Sequence, residues 1–201
     1  MKKPFILGIN GSPFKDGSVM KLINKMLDAA EKEGAEIRVI HLYDLHIINE
    51  PGLYSINHKK AIPENMPVDD IVKLYPEIQR ADALVFGTPV YWSNMSAVMK
   101  SFIEHLTPLE NDGYKLEGKL AALIAASKED EGGKEMAVMS MAAPLGQMGF
   151  MIPPNAMIWY PGDWYTTSGK HKDWAIDTAA AVGVSMTKLI KLLGDNPIVW
   201  S

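Results

Sequence analysis

Apolar runs alternate with amphipathic segments along the whole chain. Short apolar runs between turn residues predict buried strands, and apolar residues spaced i, i+3, i+4 and i+7 predict helices. The first strand is predicted at 5–9, and the first helix carries its apolar residues between 19 and 30. Further strands are predicted at 36–42, 83–87, 119–126 and 150–159, and further helices at 69–78, 95–106, 134–148 and 174–193.

Five strands that alternate with helices predict an α/β fold, in which helices cover both faces of a parallel sheet. Right-handed crossovers then favour the strand order 2-1-3-4-5. The second strand carries Arg38 between apolar neighbours, which suggests an edge position. We expect a single domain over residues 1–201, interrupted by a long, proline-containing insertion at about 43–68.

In such sheets ligands bind beyond the carboxyl ends of the strands, where the strand order reverses. Three unusual loops leave those ends, at 10–18, 88–94 and 127–133. The sequence therefore predicts that these loops meet at one site.

The first loop has the composition of an anion site. It leads from a strand to a helix whose first N–H groups have no partner within the helix, and Ser12, Lys15 and Ser18 add donors and a positive charge. Position 10 is Asn, so the G-x-G-x-x-G dinucleotide fingerprint is absent, and no G-K-[ST] ending marks an ATP-type loop. Two interpretations remain open: a site for a terminal phosphate, or an ordinary connection capped by Ser18.

The second loop places Tyr91 and Trp92 beside Pro89 at a strand end. Flat aromatic and backbone surfaces suit a planar, amphipathic ring. Combined with a single phosphate at the first loop, this favours FMN over a nucleotide with a second phosphate.

The composition of the chain limits which partners, metals and cellular locations are expected. The chain has 201 residues, 47% of them hydrophobic, and a formal net charge of −4, so neither nucleic acid nor a membrane is an expected partner. No apolar run approaches a membrane span, and we expect a soluble, cytoplasmic protein. The five histidines lack metal-ligand spacing, so no metal is assigned. The chain contains no cysteine, which excludes disulfides and thiolate ligands.

Two motifs resemble the NADPH-dependent FMN reductase family, which has a flavodoxin-like, three-layer fold. Residues 11–18, GSPFKDGS, are similar to its phosphate loop, usually G-S-P-R-x-x-[GS]-[NS]-T. Residues 88–102, TPVYWSNMSAVMKSF, are similar to its isoalloxazine loop and the helix behind it. Either motif alone would be weak, but together they are specific.

The resemblance implies a role for each loop. The first would hold the FMN phosphate, the second would line the isoalloxazine, and the third would close the remaining side. The implied cofactor-binding residues are Ser12, Lys15, Gly17, Ser18 and Val19 in the first loop, Pro89, Val90, Tyr91 and Trp92 in the second, and Ser127, Gly132 and Gly133 in the third.

The chain also departs from the family pattern. Phe14 stands where the family often has Arg, which leaves Lys15 as the cation near the phosphate, and His105 stands where Arg often follows an acidic residue. The layout resembles that of the iron–sulfur flavoproteins, whose insertion carries a cysteine motif for a cluster. Without cysteine, the insertion at 43–68 cannot hold such an iron–sulfur cluster.

The predicted function is an FMN-dependent oxidoreductase in which NAD(P)H is a transient hydride donor and a quinone, free flavin or similar small molecule accepts electrons. No residue is assigned as a catalytic acid or base, because the flavin supplies the redox chemistry. We expect a homodimer or homotetramer. The alternatives are an FMN-binding electron-transfer protein without NAD(P)H turnover, and a scaffold that has lost the cofactor. Four aromatic residues near the C-terminal end either cover the flavin of a neighbouring subunit or contribute to packing or to a dimer interface: Trp159, Trp164, Tyr165 and Trp174.

Overall fold

The computed structural model describes residues 3–48, 69–127, 132–160, 172–194 and 198. Its strands are β1 (Phe5–Asn10), β2 (Glu36–His41), β3 (Ala83–Pro89), β4 (Leu120–Ala126) and β5 (Met157–Tyr160). Its helices are α1 (Ser18–Lys32), α2 (Tyr75–Arg80), α3 (Ala97–Glu104), α4 (Thr107–Asn111), α5 (Lys134–Gln147) and α6 (Lys172–Leu193). Two short 3₁₀ helices lie at Leu42–Asp44 and Val72–Leu74.

The five strands form one parallel sheet in the order β2-β1-β3-β4-β5. This is the doubly wound order of flavodoxin-like folds, and it confirms the predicted fold and the edge position of the second strand. The register pairs Asn10 at the end of β1 with His41 on one side and Gly87 on the other. β1 and β2 therefore end level with each other, β3 extends two residues further to Pro89, and the loops that follow all three start from one edge.

Helices cover both faces of the sheet, and each face has its own apolar core. The α1 and α6 side is packed closely, because a Cβ on Gly183 would lie 2.1 Å from the Met26 carbonyl oxygen. The other side holds α2, α3, α4 and α5 around Phe86, Phe102 and Phe150. The sheet is therefore a rigid platform for the loops at its carboxyl edge.

Several predicted boundaries are wrong. No helix begins at 69; a turn there leads to Val72–Leu74, and α2 begins only at Tyr75, with Pro76 in its first turn, where a missing N–H costs nothing. The helix predicted at 95–106 is shorter, and the separate α4 was not predicted. The helix α5, by contrast, agrees with its predicted range of 134–148, and it continues past Pro144 to Gln147.

The last strand is also shorter than predicted. It begins at Met157 and not at 150, because Pro153 and Pro154 cannot donate to a strand ladder. Ahead of it, Met151 makes one isolated bridge to Leu120. Most of the insertion, the acidic residues 129–131, and Trp164 and Tyr165 lie outside the described residues. None of the described helices has the length and apolar character needed to cross a membrane.

Candidate cofactor site

Direct hydrogen bonds tie the loops at the carboxyl edge to one another. Gly11 N donates to Gly87 O at 2.8 Å, which joins the first loop to the end of β3. Ser96 Oγ donates to Gly11 O at 2.8 Å, which joins the first loop to the start of α3. Val90 N donates to Ala126 O at 3.0 Å, which joins the second loop to the end of β4. The predicted meeting of three loops is thus present in the fold.

The first loop is shaped by its own side chains. Asn10 Oδ1 accepts from Ser12 N at 3.0 Å, and Ser12 Oγ accepts from Phe14 N at 3.2 Å. Asn10 and Ser12 are both buried. On its other side, Asn10 Nδ2 lies 3.0 Å from His41 Nδ1. The conformation of this loop is therefore set by bonds within the chain, before any ligand is considered.

The start of α1 differs from the prediction that Ser18 caps it. Gly17 is the N-cap residue, with extended backbone angles, and its carbonyl accepts from Lys21 N at 3.0 Å. Ser18 is instead the first residue of the helix, one position after the N-cap. No side chain among the described residues caps Gly17, and the first turn contains no acidic residue. Such an uncapped N-terminus attracts anions through its backbone N–H groups and the helix dipole.

Two glycines beside this helix start have little room for a side chain. A Cβ on Gly11 would lie 2.9 Å from Met99 Cε and 3.1 Å from Gly87 O. A Cβ on Gly17 would lie 3.1 Å from Phe14 Cβ. Val19 is buried beneath and anchors the first turn to the core. Hydroxyl and N–H donors around a glycine-lined turn are the donor set that a phosphate monoester requires.

Lys15 has a partner within the chain. Its Nζ lies 2.5 Å from Asp44 Oδ2, and both side chains are more than half exposed. The hydrogen bond from Lys15 lowers the pKa of the Asp44 carboxyl. Phosphate contact by Lys15 stays a prediction, and it requires the ammonium to turn from Asp44 toward the helix start.

The second loop is a tight hairpin at residues 91–94. Tyr91 N donates to Asn94 O at 3.0 Å, and Asn94 N donates to Tyr91 O at 3.1 Å. Trp92 and Ser93 have φ values of 49° and 58°, so both occupy the left-handed region that a two-residue type I′ turn requires. Trp92 is fully exposed and Tyr91 is exposed to 45%. The turn thereby presents two aromatic side chains at the edge of the sheet.

Buried hydroxyls hold the base of this hairpin. Ser96 N donates to Thr88 Oγ1 at 2.9 Å, and Ser96 Oγ accepts from Met99 N at 3.4 Å as the N-cap of α3. Pro89 and Val90 are half-buried between these bonds and the exposed tip. One serine therefore caps a helix and links two of the loops.

The third loop packs directly against the hairpin. Gly133 has a φ of 80°, and a Cβ there would lie 2.5 Å from Ser93 Oγ and 2.8 Å from Ser93 Cα. Gly132 also has a positive φ, of 90°, but a Cβ there would meet nothing within 4 Å among the described residues. Ser127 is half-buried at the end of β4, and Lys134, the first residue of α5, is almost fully buried.

Sequence reasoning missed four residues of this edge: Asn10, His41, Tyr43 and Ser96. Asn10 and His41 are paired by the register of β1 and β2, which residue spacing alone does not reveal. Tyr43 is a third aromatic side chain near the hairpin. Its pKa is raised first by burial and then by the nearby Tyr91 hydroxyl. Ser96 precedes an apolar helical run, which is a typical N-cap signal.

A separate polar cluster lies outside the three loops, where the chain enters and leaves the insertion. His105 Nε2 lies 2.8 Å from Asp69 Oδ2, and both side chains are buried. Asp69 also accepts from Ile48 N and Ile71 N, each at 2.7 Å. His105 Nδ1 lies 2.6 Å from Ser101 O. This cluster joins the chain before the insertion, the chain after it and the end of α3.

Comparison with known proteins agrees with this geometry. The model of the family described as NADPH-dependent FMN reductase matches residues 4–187. An iron–sulfur flavoprotein of Archaeoglobus fulgidus is 32% identical over 149 residues, which are 74% of this chain and 71% of that protein. An NAD(P)H dehydrogenase (quinone) of the same organism is 29% identical over 186 residues, which are 88% of this chain and 93% of that protein.

Among solved structures, RosB with bound 8-demethyl-8-formylriboflavin-5'-phosphate superposes with a TM-score of 0.78. It is 22% identical, and the match covers 97% of this chain and 82% of RosB. This likeness supports the fold. The similarity to an iron–sulfur flavoprotein does not extend to thiolate ligands, because this chain has no cysteine.

Proposed function

The chain belongs to the NADPH-dependent FMN reductase family, and from this premise we propose that it uses NAD(P)H to reduce FMN and passes the electrons to a small acceptor such as a quinone or a free flavin. Membership in this family establishes that the chain is an FMN-dependent oxidoreductase. The direction of electron flow and the identity of donor and acceptor are our proposal.

One observation carries it. The uncapped start of α1 and the aromatic hairpin at 91–94 lie at the same edge of the sheet, and Ser96 bridges the loops that hold them. An anion site and a flat apolar surface joined in this way suit a ligand with a phosphate at one end and a planar ring at the other.

In this proposal the first loop holds the FMN phosphate. The Ser12 and Ser18 hydroxyls and the backbone N–H groups from Gly17 to Val19 would donate to it. Lys15 would add its charge, since an exposed ion pair such as that with Asp44 exchanges partners at little cost.

The other two loops would position the ring. The backbone of Pro89 and Val90 and the side chains of Tyr91 and Trp92 would line it, and Ser127, Gly132 and Gly133 would close the third side. FMN, when bound, supplies hydride and electron transfer at its own ring. The chain's contribution is to bind and orient it, so no catalytic acid or base is assigned.

Two further points support the choice of donor and acceptor. The sequence has no separate dinucleotide fingerprint, so NAD(P)H would dock transiently against the flavin. One relative that matches most of this chain is named an NAD(P)H dehydrogenase (quinone), which favours a quinone among small acceptors.

The test is an anaerobic absorbance spectrum of the purified chain reconstituted with FMN. We expect a bound-flavin spectrum that bleaches when NADH or NADPH is added and recovers when a quinone follows. Bound flavin that bleaches with dithionite but not with NAD(P)H would instead favour an electron-transfer protein. A chain that takes up no FMN would refute the proposal and favour the scaffold alternative.

A variant pair addresses the phosphate loop itself. Lys15→Ala combined with Ser18→Ala should weaken FMN binding about tenfold to a hundredfold, because two charge-assisted or hydroxyl donors are lost. Lys73→Ala is the matched control, since Lys73 makes a similar exposed ion pair, with Asp70, outside the three loops. Equal affinities for wild type, double variant and control would contradict the assignment.

We also propose a homodimer or homotetramer. Large apolar side chains exposed on the described surface include Trp92, Met136, Met139 and Trp159, and such side chains, where they form a contiguous patch, mark interaction surfaces. Light scattering of the purified chain checks this, and a strictly monomeric mass would contradict it.

A further inference from the structure

His41 ends β2 beside the first loop, and the proposed cofactor contacts give it no role. The strand register pairs it with Asn10, and His41 Nδ1 lies 3.0 Å from Asn10 Nδ2. His41 is half-buried and Asn10 is fully buried. The two side chains meet at the root of the loop to which we assign the phosphate.

The orientation of the Asn10 amide follows from its second bond. Ser12 N is a donor at 3.0 Å, so the group facing it must be the amide oxygen, and the NH₂ group faces His41. An NH₂ group only donates here, so His41 Nδ1 must accept and carries no proton. The hydrogen bonds thus define a neutral imidazole whose proton is on Nε2.

The charges around the ring agree with a neutral imidazole. Burial first, and then the charge of Lys15, lower the pKa of His41, whereas Asp44 acts in the opposite direction. Lys15 comes from the first loop and Asp44 from the 3₁₀ turn after β2, and within the described chain these are the charged groups that act on the ring. They pair with each other at 2.5 Å, so their influences partly offset and burial dominates.

We propose that His41 is a positioning residue for the phosphate loop: as a neutral acceptor it holds Asn10 in the orientation that shapes the turn at Ser12, and a second proton on the ring weakens FMN binding. This inference rests on the proposed function. A proton on Nδ1 would set two donors against each other. Turning the Asn10 amide to avoid this would present NH₂ to Ser12 N. Either way the loop loses a bond that fixes Ser12.

The test measures FMN affinity by fluorescence quenching on the flavin-free full chain from about pH 5 to about pH 8. In His41→Gln the amide oxygen can still accept from Asn10, whereas His41→Leu cannot. We expect acid to weaken wild-type binding about tenfold more than that of His41→Gln, which matches the loss of one buried hydrogen bond. His41→Leu should bind about tenfold more weakly at every pH. The phosphate of FMN also titrates, but equally for all three chains.

Two controls keep the inference falsifiable. Riboflavin lacks the phosphate, so wild type and His41→Gln should bind it with the same pH profile. Nitrogen NMR of the wild-type ring at about pH 8 should show the proton on Nε2, whether or not the variants fold.

Four results would each overturn the inference. Two concern FMN: the same pH profile for wild type and His41→Gln, or wild-type binding that becomes tighter in acid. The others are a pH profile for riboflavin that differs between the two chains as it does for FMN, and a ring proton on Nδ1. Absence of FMN binding at every pH would refute the proposed function, and the NMR tautomer would then report separately on the His41–Asn10 contact.

Discussion

Two groups of buried polar side chains, each built around a histidine, differ in what surrounds the ring. In the cluster outside the three loops, both nitrogens of His105 face oxygen acceptors, Asp69 Oδ2 and Ser101 O. At the carboxyl edge, His41 faces a donor, Asn10 Nδ2. In the first arrangement Asp69 also accepts two backbone N–H groups, so hydrogen bonds within the fold hold both the carboxylate and the ring.

The two groups therefore differ in role: the Asp69–His105 cluster stabilises the fold, whereas the bonds at the carboxyl edge shape the candidate site. The Asp69–His105 cluster is closed: its bonds join residues 46–48, residues 69–71 and the end of α3. The carboxyl edge is open: its bonds shape loops that end in the uncapped start of α1 and in the exposed hairpin. We therefore expect changes in the cluster to lower stability without altering FMN affinity of the folded chain, and changes at the edge to alter FMN affinity.

The largest effect is expected for Asp69→Asn. It breaks the buried Asp69–His105 pair, and removing one partner of such a pair costs about 3–5 kcal/mol of the free energy of unfolding. Urea denaturation measures this loss. Glu36→Gln is the matched control, because Glu36 pairs with Arg80 at the surface, where solvent screens the charge. Similar losses for the two variants would contradict a structural role specific to the buried pair.

A smaller effect is expected for Gly133→Ala. The left-handed backbone costs about 1–2 kcal/mol for a residue with a Cβ, and overpacking against Ser93 adds about 1–3 kcal/mol. Gly132→Ala carries the same backbone penalty without the contact, since no atom of the part of the chain that the structure describes lies within 4 Å of its Cβ position. The excess of the first variant over the second, in unfolding free energy and in FMN affinity, measures how firmly the third loop supports the hairpin. No excess would mean that the two loops are independent.

Much of the fold follows from the sequence because periodicity is a local property. The apolar residues of α1, from Val19 to Ala30, and the short runs of β1 and β3 determine the elements, and right-handed crossovers then determine their order. The position of the three loops followed from that order. The errors lie where local signals compete, as at Pro153, which delays β5, and Gly17, which precedes Ser18 as the cap of α1.

The pairings inside the site could not be derived in the same way. Asn10 entered the sequence argument only because it breaks the dinucleotide fingerprint, yet it forms the centre of the first loop. Its partner His41 lies 31 residues away in the chain, and Asp69 lies 36 residues from His105. Such contacts depend on strand register and on helix packing, which residue spacing alone does not reveal.

Ser96→Ala tests the link between the first two loops. The change removes the N-cap of α3 and the donor to Gly11 O, for a loss of about 1–2 kcal/mol. Ser101→Ala is the control, because Ser101 Oγ donates only to Ala97 O within the same helix. Weaker FMN binding in the first variant alone would support the link, whereas unchanged binding in both would show that the cap acts only on α3.

The smallest effect is expected for Ser93→Gly, and it has the opposite sign. Ser93 has a φ of 58°, in the left-handed region that glycine adopts without a steric penalty. The substitution should therefore raise the free energy of unfolding by about 0.5–1 kcal/mol. Tyr114→Gly, at a φ of 56° and remote from the loops, should give a similar gain. FMN affinity should fall only for Ser93→Gly, because the hairpin then samples more conformations and holds Tyr91 and Trp92 less firmly. A gain in stability with unchanged affinity would mean that the strained turn contributes nothing to ring binding.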